Sequence, residues 1–328
     1  FEYGNKQVAG RASLQILGGV VDFTGGYEFG TKTADGKLEA AGLDLSLLPL
    51  DDYQLVGRAD FSGYISADGR TLLGILELEN AGIDQFRIAA ASSRLRAGLD
   101  QIQLIDAALH GIETEQTNGG EPITGFLNLT FKRDQIWIQN LELMNADGRL
   151  KAQGTFASDQ IEISSEADIF PLQLVGSVFD NFGLDLTGQV DYAINLSGKF
   201  DQLNGHGKVQ FSEVYCEYGY FPAIDIEVEL EDGLIYLKPS TIVKAGAELI
   251  VEGTVQGFDE PQFDLQLTVP YSYAEDLYGF VEADLQIAGT LKKPQIDGRL
   301  ALSEVEYPVP YLEQLRAGGV ELLFNHDK

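Results

Sequence analysis

Residues 190–196 read VDYAINL, and this stretch decides the fold. Its even-numbered positions are apolar, whereas Asp191, Ala193 and Asn195 occupy the odd-numbered positions. Because side chains alternate across a β-strand, the pattern predicts a strand with one apolar and one polar face. The same alternation recurs at 127–131, 224–230, 263–269 and 281–287. One-sided strands favour an antiparallel sheet, since the strands of a parallel sheet are usually apolar on both faces.

Turn signals agree with a sheet of many short connections. Asp-Gly and Asn-Gly pairs favour two-residue hairpin turns, and they occur at 35–36, 68–69, 118–119, 147–148, 204–205, 232–233 and 297–298. His206 follows one of these pairs and is therefore predicted to lie in a turn. Helical signals are few: short helical inserts are predicted at 171–182 and 270–278, with one turn at 49–53. The fold class predicted is all-β and mainly antiparallel, with short helical inserts.

An internal repeat organises the second half of the chain. Residues 188–214 align without gaps to residues 279–305, an offset of 279 − 188 = 91. Identical pairs include Gly198/Gly289, Gly207/Gly298 and Glu213/Glu304. Repeats of this kind stack as modules in an elongated chain. The sequence therefore predicts one continuous elongated domain with a divergent β-repeat region at 1–133 and two modules at 134–231 and 232–328.

Composition excludes several classes of function. The chain carries 22 Lys and Arg against 51 Asp and Glu, a formal charge of −29. Such a chain would repel nucleic acid and anionic membranes, so no nucleic-acid partner is expected. Cys216 is the single cysteine and cannot form an intramolecular disulfide. No segment is apolar for long enough to span a membrane as a helix, and the start at Phe1 leads us to expect a processed chain or a segment of a longer one.

The repeated pattern resembles a known family. Residues 292–302 read KKPQIDGRLAL, and IAG at 287–289 stands before them at the position of a Leu-x-Gly element; Tyr307 follows, and residues 319–324 read GVELLF. The earlier copy has LSG at 196–198 and GKVQF at 207–211, without the proline. This combination resembles the TamB family (translocation and assembly module) of the AsmA-like superfamily. The resemblance covers 134–328 well and 1–133 weakly.

The resemblance implies a long sheet curled into an open groove with an apolar interior, a β-taco. It implies a periplasmic location, with an inner-membrane anchor that lies outside this chain and an end that meets the outer membrane; related proteins occur in chloroplasts. It also implies phospholipid transport between the two membranes, support of outer-membrane protein assembly and secretion, or both. The partners implied are the outer-membrane assembly machinery and the inner membrane.

The alternating strands support a groove on their own, because the apolar face must be covered by a second sheet or by curling of the sheet. A groove would bind phospholipid acyl chains, since burial of each CH₂ contributes about 0.8 kcal/mol, or on the order of 10 kcal/mol for a sixteen-carbon chain. The same residues could instead form a filled sandwich core. The candidate groove-lining residues are Val190, Tyr192, Ile194, Leu196, Val209, Phe211, Val281, Leu285, Ile287, Leu300 and Leu302.

No catalytic, cofactor or metal signature accompanies this pattern, so a non-enzymatic function is predicted. His110, His206 and His326 lie far apart without neighbouring ligand residues, whereas a metal site needs several converging ligands. No phosphate-binding loop or nucleophile elbow is present. Two alternatives remain open: an extracellular β-solenoid or sandwich array acting as an adhesin or on carbohydrate, and a transmembrane β-barrel, which the missing aromatic girdles disfavour.

Overall fold

The structure is a computed structural model, and it describes eleven segments of the chain. These are residues 2–4, 7–48, 55–83, 86–113, 122–172, 186–200, 202–217, 219–257, 261–290, 292–307 and 315–324. The chain divides into two compact units, Phe1–Ser158 (unit 1) and Asp159–Lys328 (unit 2). This division does not test the three-part organisation predicted at 1–133, 134–231 and 232–328, which stays a prediction.

Unit 1 is an antiparallel meander. Its described strands are β1 Glu2–Gly4, β2 Gln7–Ile16, β3 Gly19–Glu28, β4 Thr33–Asp44, β5 Leu55–Ile65, β6 Leu72–Ile83, β7 Phe86–Ala97, β8 Gln101–Glu113, β9 Ile123–Lys132, β10 Gln135–Met144 and β11 Arg149–Phe156. Each strand pairs with the next one along the chain. Such connections suit short hairpins, as the sequence predicts.

Unit 2 has the same topology. Its described strands are β12 Gln160–Pro171, β13 Thr187–Lys199, β14 Gln202–Cys216, β15 Gly219–Glu231, β16 Leu234–Lys244, β17 Ala247–Gln256, β18 Gln262–Ala274, β19 Gly279–Thr290, β20 Lys293–Tyr307 and β21 Leu315–Phe324. Each pairs antiparallel with the next. Among the described residues, the strands of both units belong to one antiparallel sheet, and the first and last strands of each unit do not pair with each other, so the sheet is not closed within either unit.

The predicted strands are confirmed. All five alternating stretches lie inside strands, namely β9, β13, β15, β18 and β19. The all-β, antiparallel class is therefore established, because every described pairing is antiparallel. The most buried side chains lie together near one end of β12 and β13, where Phe170 and Leu172 are 1% and 0% exposed and Val190 is 2% exposed. Phe170 is directly opposite Val190 in the register.

The predicted helical inserts are not found in the described residues. Residues 270–274 continue β18, and only Glu275–Leu277 forms a 3-10 turn. Pro270 fits in the strand because the register shifts between Val269 and Ser272, where its missing N–H is not needed. The insert at 171–182 lies outside the described residues beyond Leu172, as does the turn at 49–53, which follows a 3-10 turn at Leu45–Leu47. No helix in the described part of the chain is long and apolar enough to cross a membrane.

Half of the testable turn predictions are wrong. The pairs at 68–69, 147–148 and 232–233 do connect strands, and 118–119 lies outside the described residues. The pairs at 35–36, 204–205 and 297–298 lie inside β4, β14 and β20, so His206 is also a strand residue. Glycine is needed there for close approach: a Cβ on Gly205 would lie 2.1 Å from the Asn195 carbonyl oxygen, and one on Gly298 would lie 2.2 Å from that of Asp284.

Candidate functional site

One face of unit 2 carries the predicted groove-lining residues. In β13 and β14, Val190 is directly opposite Phe211 and Tyr192 is opposite Val209. Ile194 and Leu196 continue the same face of β13 and lie opposite Gly207 and Gly205. In β19 and β20, Val281 is opposite Leu302, Leu300 is opposite Ala283, Leu285 is opposite Gly298 and Ile287 is opposite Ile296.

A single ladder joins these two groups across the sheet. It runs from Ile194 through Gly207, Val228, Leu237, Gly253 and Leu265 to Ile287. Because directly opposed residues point to the same side of a sheet, all eleven predicted residues share one face. We call this surface the apolar face of unit 2. Adjacent strands are spaced about 4.8 Å apart, so β13 and β19 are separated by about 29 Å along the sheet.

The apolar face of unit 2 is half-buried rather than enclosed. Val190 is buried, and the other ten predicted residues are intermediate in exposure. A packed sandwich would bury most inward-facing side chains of both sheets. Half-burial is what neighbouring side chains of one sheet provide for each other when no second layer lies on them.

Polar groups on the apolar face form hydrogen bonds. The Tyr192 hydroxyl lies 2.9 Å from the Ser165 hydroxyl of β12, on the same face. Burial raises the pKa of Tyr192, and the Ser165 hydrogen bond opposes this shift. Ser240 of β16 is 3% exposed; its hydroxyl donates to the Lys238 carbonyl and accepts from the Glu227 N–H. Ordered hydroxyls of this kind interrupt the apolar face without unsatisfied polar atoms.

Bulges with a side-chain clamp recur along the chain. The Asp191 carboxylate accepts a hydrogen bond of 2.8 Å from the N–H of Ile169, whose φ is +47°. In unit 1 the Asp60 carboxylate binds the N–H of Gly42 in the same way, at 2.6 Å. Asn128 likewise accepts from the N–H of Asp106, at 2.7 Å. Bulges increase local twist and bend, so the clamps hold a bend in each unit; some carboxylates on the polar face therefore have a structural role.

The 91-residue repeat has a backbone counterpart. Glu213 and Glu304, an identical pair in the alignment, both have positive φ, +53° and +54°. Gly198 and Gly289 also share positive φ. A Cβ would lie 2.6 Å from the carbonyl oxygen of Gln202 in the first case and of Lys293 in the second. Identical residues of the repeat therefore coincide with positions of positive φ, where most side chains are strained or do not fit.

Sequence reasoning missed a cleft in unit 1. It has a volume of about 1470 Å³ and includes Gly10, Gly25, Gly36, Gly63 and Gly74 among its lining residues. The Phe23 ring covers Gly25 and Gly36, and the Phe61 ring covers Gly63 and Gly74, because a Cβ on any of these four glycines would come within 2.7 Å of the ring. The sequence contains a signal for this cleft, because the pattern Asp-Phe-x-Gly occurs twice, as DFTG at 22–25 and as DFSG at 60–63.

The described residues contain no group of three or more His, Cys, Asp and Glu that could hold a metal ion. His206 contacts Asn195 at 3.3 Å on the polar face, and His326 lies outside the described residues. Cys216 is free and half-buried.

Comparison with known proteins adds no relative: no protein-family model, curated protein or solved structure matches this chain.

Proposed function

We propose that the chain is a non-enzymatic segment of a TamB-like bridge protein, and that its apolar face forms a groove for phospholipid acyl chains. In this proposal the segment lies in the periplasm, moves phospholipid between inner and outer membrane, and supports outer-membrane protein assembly. Its partners would be lipid acyl chains, the outer-membrane assembly machinery, and the inner membrane through an anchor outside this chain. The resemblance of residues 134–328 to that family motivates the proposal.

The observation that carries the proposal is the ladder from Ile194 to Ile287. It continues an apolar surface across seven strands, from β13 to β19, while its side chains stay accessible. A conduit needs such continuity, because an acyl chain that meets a charged gap would have to be resolvated. It needs no specific polar clamp, since transfer of each CH₂ contributes about 0.8 kcal/mol.

The polar face of the same strands would keep a sheet with an apolar groove soluble in water. Asn195, Gln286 and Asp284 alternate with the ladder residues and are exposed. The Gln266 amide and the Asp284 carboxylate form a hydrogen bond across strands on that face. Exposed carboxylates keep a sheet soluble and discourage association of sheet edges.

A crosslinking experiment tests the proposal. The chain would be incubated with a phospholipid that carries a photoactivatable acyl chain, irradiated, and analysed by mass spectrometry. We expect adducts on strands β13 to β20 at apolar-face positions. Leu196→Asp and Ile287→Asp should each reduce crosslinking about tenfold or more, because the acyl chain would then be buried against a charge.

Matched controls lie one residue away on the polar face. Asn195→Asp and Gln286→Glu add the same charge to the same strands and should leave crosslinking unchanged. Circular dichroism of each variant shows whether the β-sheet is still folded. Equal crosslinking in the apolar-face variants and the controls would contradict the groove. Lipid extracted with organic solvent from purified chain provides a second measurement, and lipid-free protein at stoichiometric sensitivity would count against the proposal.

A further inference from the structure

An exposed aromatic cluster lies on the polar face of unit 2, away from the apolar face. Tyr271 and Tyr273 end β18, and Phe280 begins β19. Phe280 is opposite Ser303 and lies two residues before Glu282, which places it on the side of the sheet with the carboxylates. We call Tyr271, Tyr273 and Phe280 the tyrosine cluster.

The rings of the tyrosine cluster contact one another but remain open to solvent. The Tyr271 and Phe280 rings are stacked at 4.8 Å with planes 4° apart, and Tyr273 meets Phe280 edge-on at 5.5 Å. The Tyr271 hydroxyl lies 3.5 Å from the Ser303 hydroxyl. Even so, Tyr271 is 61% exposed and Tyr273 46% exposed. Ring stacking fixes these side chains in place, so they present a preformed surface with little rotamer entropy left to lose on binding.

Carboxylates surround the tyrosine cluster. Glu275 and Asp276 form the adjoining 3-10 turn, Glu282 follows on β19, and Glu304 follows Ser303 on β20. All four are exposed.

Two described cations lie nearby. The Arg299 guanidinium lies 4.0 Å from Glu282 and 2.6 Å from Glu321. Lys244 precedes Ala245, whose carbonyl accepts a hydrogen bond from the Glu275 N–H, and its ammonium lies 5.0 Å from the Phe221 ring. With four carboxylates against these two cations, the surface around the rings is net acidic.

Exposed tyrosines gather at one end of the strands. The five exposed tyrosines among the described side chains of unit 2 are Tyr215, Tyr220, Tyr271, Tyr273 and Tyr278. All lie beside the turns that join β14 to β15 and β18 to β19, which share one end of an antiparallel meander. Tyr215 and Tyr220 also contact each other, with ring centroids 4.6 Å apart. Tyr220 lies on the same side of β15 as Ile224 and Val228, because side chains alternate along the strand and its register with β14 has no shift. The Tyr215–Tyr220 pair is therefore on the side of the apolar face and is not part of the tyrosine cluster.

We propose that the tyrosine cluster is a docking site for an arginine-rich, extended segment of a partner protein. Aromatic faces attract guanidinium groups, and arginine both stacks on tyrosine and pairs with carboxylates. The surrounding Glu275, Asp276, Glu282 and Glu304 complement such a segment and repel anionic ligands. The inference is independent of the lipid proposal, because it uses the opposite face of the sheet.

Fluorescence anisotropy with the full chain tests this inference. The probe is a labelled peptide of alternating arginine and glycine, compared with peptides in which lysine or glutamate replaces arginine. We expect the arginine peptide to bind most tightly and the glutamate peptide not to bind. The Tyr271→Ala/Tyr273→Ala variant should weaken arginine-peptide binding about tenfold or more, as loss of a central aromatic contact does. Raised salt should weaken binding further.

Phe200→Ala provides the matched control, because Phe200 is 52% exposed and adjoins the turn between β13 and β14, at the opposite end of the strands. Binding to this variant should stay within twofold. Equal loss in both variants, equal affinity for the lysine and arginine peptides, or no binding by any peptide would each overturn the inference. Circular dichroism confirms that the exposed substitutions leave the sheet folded.

Discussion

Unit 1 and unit 2 are both antiparallel meanders, but their apolar faces are built from different residues. In unit 1, Gly25, Gly36, Gly63 and Gly74 lie beneath the Phe23 and Phe61 rings. In unit 2 the ladder from Ile194 to Ile287 also contains Gly207 and Gly253, but its other five members are branched aliphatic residues. We call these two surfaces the floors of the units: the floor of unit 1 is glycine-rich beneath aromatic rings, and the floor of unit 2 is mainly aliphatic.

The two units also differ in charge. Unit 1 has 13 Lys and Arg against 21 Asp and Glu, a formal charge of −8, whereas unit 2 has 9 against 30, a formal charge of −21. Most of the acidity of the chain thus belongs to the unit whose apolar face carries the predicted groove residues. A strongly charged polar face offsets the tendency of an exposed aliphatic face to associate.

The largest expected effect comes from adding a methyl group to a glycine in the floor of unit 1. Gly63→Ala would place a Cβ 2.4 Å from the Leu73 carbonyl oxygen and 2.4 Å from the Phe61 ring, and a backbone oxygen cannot move aside. We expect a loss of about 2–3 kcal/mol in the free energy of unfolding, measured by urea denaturation with the fluorescence of Trp137, the single tryptophan.

The matched change in unit 2 is Gly207→Ala. Its Cβ would lie closest to side-chain atoms, Ile194 Cγ1 at 3.2 Å and Val228 Cγ2 at 3.3 Å, and the Ala193 carbonyl oxygen would be at 3.9 Å, an ordinary van der Waals distance. We expect the free energy of unfolding to fall by less than about 1 kcal/mol, and hydrogen exchange of the β14 amides measures this loss. A similar loss at both positions would show that the floors do not differ in their tolerance of side chains.

Much of the fold was predictable from local pattern, and what failed depends on contacts between strands. Alternation at 190–196 gives the strand and its apolar face, because one-sided burial shapes the sequence directly. Asp-Gly at 232–233 forms a turn, yet the same dipeptide at 297–298 lies in β20. No local signal separates them, since Gly298 is required by the Asp284 carbonyl oxygen of the neighbouring strand.

The candidate site shows the same limit. Eleven apolar residues were assigned to one face from periodicity alone, and the register places them there. The bulge clamp of Asp191 was not predictable, because a carboxylate that binds the Ile169 N–H reads in sequence like any solvated carboxylate. The tyrosine cluster was also missed, since it depends on the register shift in β18 that places Tyr271 and Phe280 on one side.

The bulges provide a second, smaller contrast between the units. Gly42 and Ile169 occupy equivalent clamped positions with φ of +68° and +47°, but only glycine adopts this conformation without strain. Gly42→Ala should destabilise unit 1 by about 1 kcal/mol, although its Cβ would meet no atom within 4 Å. Ile169→Gly should stabilise unit 2 by a similar amount. Hydrogen exchange of the flanking strands measures both, and changes of the same sign would refute a purely conformational origin.

The last expected effect concerns the Tyr192 phenol on the apolar face of unit 2. Burial raises the pKa of Tyr192 above its ordinary value, so the folded state retains this proton longer than the unfolded state. Its contribution to stability is fully present below about pH 10 and is lost as pH rises through the folded-state pKa. Tyr192→Phe removes the hydrogen bond to Ser165, at a cost of about 1 kcal/mol near neutral pH.

That cost should shrink as the solution becomes alkaline, because phenylalanine cannot ionise and only the unsubstituted chain loses the contribution of the Tyr192 phenol there. Urea denaturation followed by far-UV circular dichroism, repeated from neutral pH to above pH ~10, measures the difference between the two proteins. Tyr215→Phe, which removes an exposed phenol from the same unit, is measured beside it as the control for loss of a phenol at the surface. A Tyr192→Phe profile that runs parallel to that of the unsubstituted chain would mean that water reaches this hydroxyl freely, and the apolar face would then be too wet to hold an acyl chain at this position.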